Sequence, residues 1–174
     1  KTDAVWWLLN RKDDLWKDAG LAGRLKRDGI YDPDKVQLVE IQVPPQPPGR
    51  LPPVTEILKL KADAARGAQL ATSCLMCHRI KDQGVDSGPD ATAYAKMQPS
   101  EVVLRALIEP SADIAHGFEG SAIVTKDGRQ IHGRLLSSGD PLIVRSQGGL
   151  TQMVPASQIQ SARPLGRSLM LSVE

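Results

Sequence analysis

The chain has 174 residues, 41% hydrophobic and 24% charged, with a formal net charge of +2, which fits one globular domain or one domain with an extension. No third of it is strongly acidic or basic, so neither nucleic acid nor an anionic membrane is an expected partner, and no apolar run reaches the roughly 20 residues needed to cross a bilayer. Aromatic residues make up only 3%, so the core must be built from aliphatic side chains or completed by a flat apolar group.

Residues 1 to about 30 place Trp6, Trp7, Leu8, Leu9, Leu15, Trp16, Leu21 and Leu25 at near-helical spacing. Gly20, Gly23 and Gly29 interrupt the pattern, which predicts one good helix and a weaker second one. The Asp13-Asp14 pair reads as solvated helix surface, and Ile30 to Asp34 reads as a turn around Pro33. Residues 43–53 contain six prolines in eleven positions; such a segment is extended and stiff. It divides the chain into a Trp-rich extension (1–42), a linker (43–53) and a main domain (54–174).

The main domain opens with helical spacing from Ile57 to Leu70, with Thr55 as the expected cap. Gly67 lies inside that helix, at a cost of about 1 kcal/mol unless a backbone or ligand must come close. A Gly-rich loop follows from Gly84 to Pro89, then a second helix with Ser100 as cap and a stop at Pro110. From about 120 to 163 the period changes to two. Alternating runs cover Ala122–Lys126, Arg129–Leu136, Leu142–Arg145 and Leu150–Val154, broken at Asp127-Gly128, Ser138-Gly139-Asp140 and Gln147-Gly148-Gly149. Asp-Gly between two such runs signals a hairpin, so an antiparallel meander or small barrel is expected there.

Cys74-Leu75-Met76-Cys77-His78 carries the only cysteines. Two thiols cannot complete a structural zinc site, which needs four ligands, and nothing around them has the strand-then-helix pattern of a redox C-x-x-C. C-x-x-C-H is the attachment signature of c-type haem. On one short turn the two thiols reach the two vinyl groups along one porphyrin edge, and the adjacent imidazole faces the iron. One haem c per chain is therefore expected, bound by Cys74 and Cys77, with His78 on the iron.

Gly67-x-x-Leu70-x-x-x-Cys74-x-x-Cys77-His78 followed by Gly88-Pro89-Asp90 resembles the N-terminal half of monohaem class I cytochromes c. That resemblance implies that the Pro89 carbonyl accepts a hydrogen bond from the proximal His78 and orients it. A longer series runs through Ile108-Glu109-Pro110-Ser111, Gly117-Phe118-Glu119, Thr125-x-Asp127-Gly128, Gly133, Val154-Pro155 and Ser168-Leu169-Met170. It resembles the haem-binding domain of the Pirellula/Verrucomicrobium type over residues 60–172. The implied fold class is α+β: a small helical cytochrome c core with a β-insert before the distal methionine, preceded by the N-terminal extension.

Candidates for the second iron ligand are Met97, Met153, Met170, His116 and His132. His132 has polar neighbours two positions away and is expected to face water. Met153 reads as strand packing, Met97 as a loop residue against the haem, and His116 as a flexible surface position. The resemblance places the distal ligand at Met170, with His116, Met97 or an open site as alternatives; a methionine there raises the potential. Met170 lies four residues from Glu174, so the C-terminal helix of class I cytochromes is expected to be missing, to lie beyond this stretch or to be replaced, with the Trp-rich helix as the hypothetical substitute. A start at Lys1 is expected of a processed product or an excised domain.

The expected role is single-electron relay from a partner or fused dehydrogenase to a respiratory acceptor, not catalysis by the chain itself. The resemblance implies a periplasmic setting, and the extension is a possible docking element. The alternatives are a haem-based sensor or peroxidase-like protein with an open or displaceable sixth site, and a structural module in which the haem is incidental.

Overall fold

A computed structural model describes residues 2–12, 15–45 and 51–173. The Asp13-Asp14 pair and residues 46–50 of the proline-rich segment lie outside the described residues. The fold is mixed α+β, and the chain divides into two compact units, each assembled from separate stretches of sequence.

The first unit takes residues 1–42, 121–146 and 151–163. Its framework is a five-stranded antiparallel sheet of β3 (Gly120–Thr125), β4 (Gln130–Ser137), β5 (Leu142–Arg145), β6 (Thr151–Val154) and β7 (Ile159–Pro164). The spatial order is β6-β5-β4-β3-β7, so the first four strands form a meander and β7 returns beside β3. β7 is a strand the alternation of residues does not announce. Tight turns drive the meander: at Asp127-Gly128 the Thr125 and Arg129 backbones close with N to O at 2.9 Å, and the Asp127 carboxylate accepts from Thr125 Oγ1 and Arg129 Nε. Those two donors, Arg129 foremost, hold the Asp127 carboxyl well below the usual carboxylate range. β5 pairs with β4 through Leu135↔Val144, with a bulge before Ser137↔Ile143, and with β6 through Val144↔Gln152.

The core of this unit is aliphatic. Ile123, Ile131, Val144 and Val154 have no exposure, and Leu38 joins them from the N-terminal stretch. Residues 1–42 are therefore not a separate extension. Ile41 bridges Ile131 in parallel and exchanges backbone hydrogen bonds with Gln130 and His132. The buried Gln152 amide clamps Val39, accepting from its N at 2.7 Å and donating to its carbonyl at 3.0 Å. Arg129 Nη1 donates to Leu38 O. His132, expected to face water, is instead 7% exposed, on a stretch of β4 that Ile41 bridges from the N-terminal residues.

The helices of this unit are short. α1 (Thr2–Leu9) and α2 (Leu21–Arg27) contribute Leu9 and Leu25 to the interior. Trp7 meets Trp16 edge-on at 5.6 Å between ring centroids. Ser137 Oγ donates to Asn10 Oδ1, which ties the end of α1 to β4. The Trp-rich helix thus has documented partners in the sheet unit, where its expected role as a substitute C-terminal helix for the other unit finds no support.

The second unit takes residues 43–120, 147–150 and 164–174. It contains α3 (Val54–Ile57), α4 (Ala64–Leu70), α5 (Ala91–Met97) and α6 (Ser100–Ile108), with a two-residue hairpin of β1 (Arg79–Ile80) and β2 (Gln83–Gly84). The single helix expected from residue 55 is two helices. Pro53, not Thr55, precedes α3, and Asp63 starts α4 by accepting from Arg66 N at 3.0 Å. A carboxylate that captures a free N–H at this position begins a new helix instead of extending the old one. Ser100 is likewise the first residue of α6, with Pro99 before it. α5, which the sequence pattern left as loop, is capped by Asp90 accepting from Ala93 N.

Candidate functional site

Cys74 and Cys77 lie in and just after a 3-10 turn, Ala71–Met76, that continues directly from α4. Cys77 N and His78 N both donate to Cys74 O, at 3.1 and 2.9 Å, so the five-residue motif is one closed turn. Both thiols are free and half-buried. Among the described residues, no three His, Cys, Asp or Glu side chains gather closely enough to hold a metal ion by themselves.

The loop from Gly84 to Pro89 grips this turn from one side. Val85 N donates to Leu75 O at 3.0 Å, Ser87 N and Gly88 N donate to Cys77 O at 3.1 and 2.6 Å, and Ser87 Oγ adds a third donor to that carbonyl. Two glycines make the approach possible. Gly84 has φ +93, and a side chain there would overlap the His78 carbonyl oxygen. A Cβ on Gly88 would lie 2.6 Å from His78 Cε1 and 2.8 Å from Nδ1, inside the distance any real contact allows. The Gly88-Pro89 backbone is thus packed flat against the imidazole.

His78 Nδ1 lies 2.7 Å from Pro89 O. A carbonyl only accepts, so Nδ1 carries the proton, and in the neutral ring the Nε2 lone pair is left for another electrophile or a metal. Cys74, Cys77 and His78 are therefore two free thiols and one oriented nitrogen ligand on a single turn, which is what a covalently attached, metal-containing group requires.

The helical elements of this unit are only partly buried. Among the described residues α3, α4, α5 and α6 bury none of their side chains. Leu58, Leu60, Leu70, Met76 and Met97 are 44 to 77% exposed, and Val43 is the sole hydrophobic residue of this unit in the buried set. A Cβ added to Gly67 in α4 would meet nothing within 4 Å, so no protein backbone accounts for that glycine.

Met170 belongs to the same unit and is half-buried. Its segment is pinned at several points: Ser168 N donates to Ser111 Oγ, Met170 N to Ser168 Oγ, Gln147 Nε2 to Leu169 O at 2.6 Å, and Arg167 Nη2 to Val43 O. The other ligand candidates lie in different settings. His116 is fully exposed and faces Glu119 at 3.3 Å. Met97 ends α5 rather than lying in a loop and is 77% exposed. Met153 pairs with Ile143 in the sheet, and His132 is buried there; both belong to the first unit. Ser87, Val85, Gln147 and Gly149 are site-building residues that sequence reasoning missed. The glycines at 84, 88 and 149 were the available signal, since each marks a close backbone approach.

Comparison with protein-family models and with curated proteins found no match.

Proposed function

We propose that the helical unit is a c-type cytochrome domain of the Pirellula/Verrucomicrobium type, holding one haem c and relaying single electrons between a donor, separate or fused, and a respiratory acceptor. One observation carries the reading. A C-x-x-C-H turn with an oriented imidazole lies in a unit whose helices α3 to α6 fully bury none of their described side chains and leave Leu58, Leu60, Leu70 and Met97 exposed. A group that is flat, apolar and covalently tethered at Cys74 and Cys77 answers both features.

When bound, the haem supplies reversible one-electron storage at its iron. The chain's residues do the rest. Cys74 and Cys77 supply the thiols for thioether attachment. His78 presents Nε2 to the metal, and Pro89, by accepting from Nδ1, fixes the ring's tautomer and raises its basicity. Gly88 prevents the ring from turning. The exposed Leu70, just before the Ala71–Met76 turn, is apolar surface that the haem would cover. Met170 is the second ligand of this reading, its backbone held by Ser168 and its neighbour Leu169 by Gln147. Attachment by the usual route occurs outside the cytoplasmic membrane, which argues for a periplasmic setting. No helix among the described residues is long and apolar enough to cross a membrane.

The test is the mass and absorption spectrum of protein made with haem-attachment machinery. The expected result is a mass above the polypeptide by one haem and reversible ferric-to-ferrous spectral change. A colourless product with the mass of the bare chain overturns the proposal. Rapid, complete carbon monoxide binding by the reduced protein would instead favour an open sixth site and a sensor or peroxidase-like role.

A further inference from the structure

We infer that the Gln147-Gly148-Gly149 turn is a spacer that sets the position of Met170 relative to the attachment turn, with Gln147 as the positioning residue; this rests on the haem reading above. The turn lies in the β5–β6 connection, yet its residues cluster with the helical unit. It touches both sides of the site. At one end Gly149 has φ +78 and packs so tightly on Val85 that a Cβ would overlap Val85 Cγ1. Val85 in turn donates to the carbonyl of Leu75, the residue after Cys74. At the other end the Gln147 side-chain amide donates to the carbonyl of Leu169, the residue before Met170. A continuous line of contacts therefore runs from between the two cysteines to the methionine: Leu75, Val85, Gly149, Gln147, Leu169.

The physical need for such a spacer is clear. Methionine is unbranched and flexible, so its sulfur is only as well placed as its backbone. Ser111, Val43 and Gly120 also hold the Leu165–Met170 segment. Gln147 is the hold that connects it, through Gly149 and Val85, to the C-x-x-C-H turn. On this account the β5–β6 connection has a function beyond joining two strands.

The test compares wild type with Gln147→Ala, Gln147→Glu and Met170→Ala, all made with haem-attachment machinery. Gln147→Glu keeps the shape and removes the side-chain N–H donor. The ferrous protein's rate of carbon monoxide capture, the ferric methionine–iron absorption band and hydrogen exchange at the 169–171 amides are read. Both Gln147 variants are expected to capture carbon monoxide about fivefold faster than wild type, the weight of one part-buried hydrogen bond. They should also weaken the band and exchange faster at 169–171, while adding Gln147→Ala to Met170→Ala should change carbon monoxide capture no further. If haem is attached and Met170→Ala opens the site, but both Gln147 variants match wild type, the spacer is refuted and the haem reading stands. If haem is attached and Met170→Ala equals wild type, the spacer falls because Met170 is not the ligand. If no haem is attached, both fall.

Discussion

The two units solve the problem of an interior in opposite ways. The sheet unit fills its own: Ile123, Ile131, Val144 and Val154 are wholly buried, and the N-terminal stretch lends Leu38. The helical unit has apolar residues on α3 to α6 that are half-buried or exposed, and none of them is fully buried. Each fully buried aliphatic side chain is worth about 1.5–3 kcal/mol, so the sheet unit can hold its fold from chain alone. The helical unit is held mainly by backbone hydrogen bonds around Cys77 and by caps. That contrast is what the proposed haem would account for.

The largest expected effect tests this contrast directly. Chain produced without haem attachment should show slow hydrogen exchange at Ile123, Ile131 and Val144 and fast exchange across α4 to α6, because local opening follows buried apolar contact. Equal protection in the two units would break the comparison. Next, Ile131→Ala should cost about 2–5 kcal/mol in denaturant unfolding of the sheet unit. Leu70→Ala, at a position 67% exposed, should shift the unloaded chain by less than about 0.5 kcal/mol and matter only once haem is attached.

Smaller effects sharpen it. Gly88→Ala forces the His78 ring away from its 2.7 Å contact with Pro89, and should cost about 1–3 kcal/mol, with a lower haem-loaded fraction and no change in the sheet unit's denaturation. Gln152→Ala removes both partners of Val39; a loss of about 1–2 kcal/mol and faster exchange at Val39 and Ile41 should follow, with the haem spectrum unchanged. The smallest effect is in alkali. Burial first, and the Asp140 charge second, push the Tyr31 phenol from 10.0 up to about 12. The folded state then holds this proton more tightly than the unfolded one, so the stability it lends is complete below pH 10 and fades as pH rises through about 12. Stability measured across that window should fall less steeply in Tyr31→Phe than in wild type.

Much of this was legible in local sequence. Chemistry carried by consecutive residues reads directly: C-x-x-C-H closes on itself through Cys74 O, and Asp127-Gly128 turns where alternation stops on both sides. The Leu142–Arg145 run matches β5 to the residue, because a strand's period depends only on which face is covered. Helix boundaries were less legible. Thr55 and Ser100 are good caps by type, but the helices start after Pro53, Asp63 and Pro99: the prolines make no side-chain cap bond, and the Asp63 carboxylate accepts from Arg66 N.

The residue order by itself determined the C-x-x-C-H turn and the meander, since each depends on neighbours a few positions apart, whereas Pro89 as the partner of His78 came from the family resemblance. Only the tertiary structure decided that residues 1–42 complete a sheet instead of standing off as an extension, that His132 is buried, and that Gln147 reaches Leu169. Those contacts join stretches 22 to 127 residues apart, and no local period encodes which distant segment will cover a given edge.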